Sequence, residues 1–291
     1  MRCLVIGGTR FIGPRVIRAL VARGWDVMAL HRGQHQAELP PEVRVVRSAH
    51  AGIPVTRFPP ETITFAPDVV LLTIAMGQSD ASAAIAAFDG RAARVVLLSS
   101  GDVYAAYGRF TGFERGAILP TPLSETSPLR QTLFPYRTAA TPPEAMEYWY
   151  EKILAEREVL SRSTLPGTVL RLPKVYGPED NANLATIYGM HAYPHWKWTH
   201  GHVDNVAHAI TLAVADPLAA GEIFNVGELN TPTMGERLAL LPPRSPSASE
   251  SAYNFAQDIA YDTSKIRRLL GYSDIADELH AMSALARSCS A

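Results

Sequence analysis

The chain has 291 residues, 47% hydrophobic and 19% charged, an ordinary globular composition with length for one large domain or two small ones around a sizeable core. Lys plus Arg (27) nearly cancels Asp plus Glu (28), leaving a net charge of -1, which argues against a nucleic-acid or membrane-surface partner, either of which would call for a basic excess. Cys3 and Cys289 make no disulfide framework, no Cys/His spacing marks a structural zinc, and no apolar run is long enough for a signal peptide or a spanning helix; a reduced, cytoplasmic protein is expected.

The first half alternates short β-branched runs with helix-like stretches. Runs at Cys3–Ile6, Val27–Leu30, Val43–Val46, Val69–Ile74 and Val95–Leu98 predict strands of a parallel sheet buried on both faces. Val16, Ile17, Leu20 and Val21 recur at helical spacing within Pro14–Arg23, and the Ala-rich stretch Asp80–Phe88 predicts a second helix. From Tyr104 to Pro143, Pro, Gly and Thr break any period, and a loop of that length reads as a functional cover or a mobile segment. Periodicity returns as a helix over Glu144–Ser161, a strand at Thr168–Leu172, a helix at Val203–Ala215 and a strand at Ile223–Val226. Pro242–Ser251 reads as a linker or surface loop, and the tail from Thr263 as an amphipathic helix. The alternation predicts a doubly wound α/β architecture with right-handed crossovers.

Gly7-Gly8-Thr9-Arg10-Phe11-Ile12-Gly13 lies between the first strand and the first helix. That context suits a dinucleotide: Gly7 permits a tight turn, Gly13 a close helix–sheet approach, and the helix N-terminus offers N–H groups to a pyrophosphate. Arg10 stands where a third glycine would give phosphate its closest access. The second strand ends in His31-Arg32-Gly33 without the carboxylate that grips an unphosphorylated ribose; Arg32, with Arg10 as a second contact, suits a 2′-phosphate and favours NADP over NAD. Tyr148 and Lys152 stand four apart on the predicted helix and would share one face. A free phenol, pKa about 10, is only ~0.1% ionised at neutral pH; an ammonium at ~4 Å and effective dielectric ~20 contributes about 4 kcal/mol toward its ionised form. Ser100, ending the fifth strand, is placed to hydrogen-bond a reacting carbonyl or hydroxyl.

Together with Lys152-Ile153-Leu154-Ala155-Glu156, Pro122-Leu123-Ser124-Glu125, Leu170 to Pro178 (LRLPKVYGP), His202 to Ala207 (HVDNVA), Phe224-Asn225-Val226-Gly227 and Asp262-Thr263-Ser264-Lys265, these motifs resemble the extended short-chain dehydrogenases/reductases of the NAD-dependent epimerase/dehydratase family. The resemblance runs from Leu4 to about Asp274. It implies a Rossmann-type sheet over 1–172 and 203–227, with a small C-terminal substrate lobe over 173–202 and 228–291. It also implies a homodimer and a small-molecule substrate, commonly a sugar nucleotide, reacting by hydride transfer at a carbinol or ketone carbon. The implied catalytic residues are Ser100, Tyr148 and Lys152. Gly7, Thr9, Arg10, Phe11, Ile12, Gly13, Arg32 and Ala75 would bind NAD or NADP, with Lys152 on the ribose.

Lys174 occupies a position where relatives often place a substrate-contacting Asn, Ser48-Ala49-His50 replaces an Asp near adenine, and the interval from Pro178 to Trp198 is short. The GGTRFIG variant is similar to atypical members, some of which act on RNA, so a dinucleotide sensor or an RNA binder without redox turnover is the alternative. His191, His195, His200 and His202 cluster in one segment without a carboxylate-histidine motif, and no metal is expected. Trp196 and Trp198 read as wall or core residues.

Overall fold

The computed structural model describes residues 1–33, 37–48, 52–161, 164–244 and 252–288. In chain order the elements are β1 (Arg2–Ile6), α1 (Ile12–Ala22), β2 (Asp26–His31), β3 (Arg44–Arg47), α2 (Pro60–Thr64), β4 (Val69–Leu72), α3 (Gln78–Phe88), β5 (Arg94–Ser100) and α4 (Ala105–Thr111). They continue with α5 (Met146–Trp149), α6 (Lys152–Leu160), β6 (Gly167–Leu172), β7 (Lys174–Tyr176), α7 (Ala185–Gly189), β8 (His200–His202) and α8 (Val203–Ala215). The last are β9 (Ile223–Asn225), α9 (Met234–Ala239), α10 (Ser264–Leu270) and α11 (Glu278–Ser288). Among the described residues, no helix is long and apolar enough to cross a membrane. Ala49, His50, Cys289 and the 245–251 part of the expected linker lie outside the described residues.

Two compact units form. The first comprises Met1–Ser100, Leu133–Arg171 and Ala207–Phe224; the second, Gly101–Thr132, Leu172–Val206 and Asn225–Ala291. Residues 101–132, expected with the nucleotide-binding half, group with the second unit.

The first unit is built on a seven-stranded sheet in the order β3-β2-β1-β4-β5-β6-β9. The chain reverses its direction of travel between β1 and β4, the place where a parallel sheet opens a crevice at the carboxyl ends of its strands. β1, β4 and β5 read as unbroken apolar runs because both of their faces are covered. Leu4, Ile6, Leu72 and Leu97 share a core cluster with Ala84 and Phe88 of α3 and with Ala155 and Val159 of α6. β3 departs from the expected burial: Arg44, Val45 and Arg47 are exposed, because the strand forms the open edge of the sheet. Arg94, at the start of β5, donates to the carbonyls of Val214 (2.6 Å) and Asp216 (2.5 Å), meeting the negative end of α8 with a guanidinium.

Two expectations require correction. The helix over Glu144–Ser161 is two helices: α5 ends at Trp149, Tyr150 and Glu151 are non-helical, and α6 begins at Lys152. The loop from Tyr104 contains α4, which Gly112 ends in the left-handed conformation.

In the second unit, β7 and β8 pair in parallel, Lys174 opposite His200 and Tyr176 opposite His202. Asn225 ties three segments together: it accepts from the Tyr104 hydroxyl (2.5 Å) and donates to the carbonyls of Leu123 (2.8 Å) and Asp262 (3.2 Å). Phe110 stacks on buried Trp196, ring centres 4.6 Å apart.

A buried ion pair fixes α6 to the sheet. Glu156 accepts from Arg171 Nε (3.1 Å) and Nη2 (2.8 Å) and from the Ser99 hydroxyl (2.5 Å), with both charged side chains nearly inaccessible. Removing one partner leaves an uncompensated charge in a low-dielectric interior. Arg171→Leu is expected to lower unfolding free energy by about 3–5 kcal/mol in urea titration; a loss below about 1 kcal/mol would mean that water already solvates Glu156.

Candidate functional site

The turn of the first unit leaves no room for a side chain at any of its three glycines, Gly7, Gly8 and Gly13. Gly7 takes φ +96, a region where a Cβ is strained, and that atom would also run into Thr73 and Ile74. At Gly13 a Cβ would stand 2.6 Å from the backbone of Gly8, so loop and helix touch main chain to main chain. Phe11, with φ 48, precedes α1; the helix start has no side-chain cap and no acidic residue in its first turn. Its leading N–H groups keep their positive partial charge for an anion. Thr9, Phe11 and Ile12 are half-buried, and the Arg10 side chain is exposed.

At the ends of β2 and β3 an unforeseen cation joins Arg32. His31 and Arg47 are register partners, and a Cβ on Gly33 would meet Arg47 Nε at 2.5 Å, so this guanidinium lies across the turn that follows Arg32. Burial, then the nearby Arg47 charge, pushes the His31 imidazole below its usual pKa. Arg47, Ser48 and Arg57 line a cavity of about 410 Å³ with Phe58, Pro59, Pro60 and Glu61.

At the carboxyl ends of β4 and β5, Lys152 Nζ donates to the carbonyls of Ala75 (2.6 Å) and Leu98 (3.0 Å), and the side chain is buried. Ala75 and Lys152 are therefore brought together, two residues along β5 from half-buried Ser100. Asp80 lies nearby; burial raises its carboxyl pKa, against N–H donors from Val55, Gly77 and Met76 and the charge of Lys152. Tyr148 is not carried to Lys152 by a continuous helix. Its ring lies under Arg137, Cζ 4.2 Å from the centroid, and the same guanidinium donates through Nε to the Tyr148 carbonyl (2.7 Å). The tyrosine ring facing Lys152 Nζ is Tyr150, at 5.7 Å.

In the second unit, Lys174 is half-buried on β7. His200 is fully buried; its Nδ1 meets the Trp198 carbonyl at 2.7 Å, and burial, then the charge of Arg237, depresses its pKa strongly, so the ring is neutral. His202 pairs with Asp204 at 3.6 Å, while His191 and His195 lie on the segment before β8. Among the described residues, no group of three or more His, Cys, Asp or Glu is arranged to hold a metal ion. Sequence reasoning missed Glu228, buried behind β8, whose carboxylate accepts from the His202 N–H (2.7 Å) and from Asn205 Nδ2 (2.6 Å). Burial, reinforced by Asp274 and Glu278, outweighs these donors and pushes its pKa up to about 8.

The model of the NAD dependent epimerase/dehydratase family matches residues 3–227. Among solved structures, UDP-glucuronic acid 4-epimerase from Bacillus cereus, in complex with UDP-glucuronic acid and NAD, is similar at TM-score 0.69 and 17% identity, covering 99% of this chain and 100% of that one. UDP-glucose 4-epimerase from Thermotoga maritima, with UDP-glucose, matches at TM-score 0.69 and 16% identity over 100% and 99% of the two chains. The Thermus thermophilus UDP-glucose 4-epimerase complex with NAD matches at TM-score 0.67 and 20% identity, covering 99% and 98%. At these identities the likeness is one of fold. No curated protein matches the sequence.

A carboxyl whose pKa is higher folded than unfolded stabilises the fold fully below its unfolded value, and that stability is lost as pH rises through the folded value. For Glu228 the window runs from the ordinary carboxyl value of 4.5 up to about 8. Urea midpoints of the wild type are expected to fall across it, and Glu228→Gln to flatten the fall; equal slopes would mean that Glu228 is ionised throughout.

Proposed function

The chain belongs to the NAD dependent epimerase/dehydratase family, and we propose that it moves a hydride between a nicotinamide dinucleotide and a carbinol or ketone carbon of a nucleotide sugar. The observation that carries this reading is the convergence, at the carboxyl ends of the strands of a parallel sheet, of a tightly packed glycine turn, an uncapped helix start and a buried ammonium. The turn following β1 suits a pyrophosphate because the bare Gly13 lets α1 start directly against Gly8, with its first N–H groups uncapped by any side chain. Gly7, Gly8 and the first N–H groups of α1 would cradle that group, and Lys152 would hold the ribose beside the nicotinamide. When bound, the dinucleotide supplies a two-electron hydride acceptor or donor. Ser100 would hydrogen-bond the substrate oxygen, Lys174 would contact the substrate, and a phenol of the 148–152 segment would give or take the hydroxyl proton.

The preference for NADP over NAD rests on Arg32 together with Arg47. Two guanidiniums at the ends of β2 and β3 form charge-assisted hydrogen bonds with a 2′-phosphate and none with a free 2′-hydroxyl of equal strength. In fluorescence titration, Arg32→Ala with Arg47→Ala is expected to weaken NADPH binding about 10- to 100-fold, the equivalent of roughly 1.5–3 kcal/mol, while NADH binding changes little. Equal loss for both cofactors would place the arginines outside the phosphate subsite.

The hydride-transfer reading is tested by supplying UDP-glucose and UDP-glucuronic acid with each cofactor and following product sugars by chromatography. Conversion is expected for the wild type, with at least about a hundredfold loss in Lys152→Met. A wild type that binds neither dinucleotide would overturn the reading.

A further inference from the structure

We propose that Tyr150, and not Tyr148, is the phenol that exchanges a proton with the substrate hydroxyl, paired with Lys152 across the single extended residue Glu151. This rests on the dinucleotide-dependent reading above.

Residues four apart share a face only while the helix between them is continuous. Here it is interrupted: Tyr150 has φ -71 and ψ 106, and Glu151 has φ -154 and ψ 91. In extended chain, successive side chains point to opposite sides and those two apart to the same side. Tyr150 and Lys152 therefore fall together and Glu151 falls away from them. The contacts agree: Lys152 Nζ lies 5.7 Å from the Tyr150 ring centre, whereas the Glu151 carboxylate accepts from the N–H groups of Phe134 (2.6 Å) and Ile153 (3.0 Å). The interruption is clamped by the Glu151 N–H, which donates to the Met76 carbonyl (2.8 Å) on the segment between β4 and α3. That clamp sits beside Ala75, whose carbonyl holds Lys152.

Tyr148 is engaged otherwise. Arg137 lies between its ring and that of Phe134, 4.2 and 3.8 Å from the two centroids, and Trp149 packs against it edge-on. Tyr150 meets an aromatic edge instead: Tyr136 contacts it at 5.2 Å and 73°. The charged groups around the Tyr150 pair are Lys152 on α6, Asp80 on α3, which interacts with that ammonium, Glu151, turned away, and Arg137, committed to Tyr148. An ammonium this close to a ring favours the phenolate over the phenol. With a dinucleotide bound to supply the two-electron acceptor, the Tyr150 phenolate oxygen would take the hydroxyl proton as the carbinol is oxidised to a ketone, and in the reverse direction the Tyr150 phenol would return that proton.

The test compares the wild-type full chain with Tyr150→Phe, which keeps the ring against Tyr136, and Tyr148→Phe, which keeps the ring beneath Arg137. Near-ultraviolet absorbance is followed during pH titration of each. In the wild type one phenolate is expected to form at least about one pH unit below the ordinary phenol near pH 10. That step should vanish in Tyr150→Phe and persist in Tyr148→Phe, and turnover in Tyr150→Phe should drop at least about a hundredfold. Loss of the step in Tyr148→Phe instead, or its absence from the wild type, overturns the assignment. NADPH and NADH binding to the same proteins separates the two levels: binding intact with the wrong tyrosine titrating refutes only the assignment. A wild type that binds neither removes the dinucleotide reading and the assignment with it.

Discussion

Two main-chain carbonyls, of Ala75 and Leu98, take the protons of the Lys152 ammonium at the edge of a parallel sheet. Leu98 lies within β5 and Ala75 on the segment that joins β4 to α3, so the position of that charge is tied to the buried strands that set the fold. A buried ammonium without such acceptors would lose its proton or draw in water. The neighbouring devices serve the same placement. Asp80 collects three N–H groups at the start of α3, and the Glu156–Arg171 pair holds α6 against the sheet.

The strands were legible because burial on both faces leaves a continuous apolar signature, as in Val95–Leu98 and Val69–Leu72. The glycine turn was legible because its residues answer to backbone geometry, which each sequence position carries locally. The interruption after Trp149 was not. Met146 to Lys152 contains neither Pro nor Gly and has ordinary helical propensity; what breaks it is tertiary, the Glu151 carboxylate drawn to Phe134 and its N–H to Met76. Arg47 was hidden for a related reason, since its approach to Gly33 depends on the register of β3 against β2. Two short helices did carry readable marks: Gly112 closes α4, and Thr233 with Glu236 forms a capping box before α9.

The second unit is organised around polar groups rather than around an apolar sheet. Asn205 accepts from the N–H groups of Ile275 and Ala276 and donates to Glu228, while Arg237 meets Glu278 at 2.9 Å. Networks of this kind fix one arrangement of loops where hydrophobic contacts would tolerate several. They also explain why motif residues such as Asn205 and Asn225 sit in buried positions: each satisfies backbone groups from segments distant in sequence, which an apolar side chain there would leave unpaired.

β3 forms one of the two edges of the sheet, β9 the other. The sequence of β3 is Arg-Val-Val-Arg, with exposed Val45 beside Arg44 and two residues from Arg47. A second chain adding itself there would have to bring its own strand alongside like charges spaced at both ends of β3, a repulsion that grows with every copy stacked. Arg47 thus lies over the turn after β2 and on an exposed edge of the sheet, so neutralising it would bear at once on the cofactor preference proposed above and on the edge's resistance to lateral pairing.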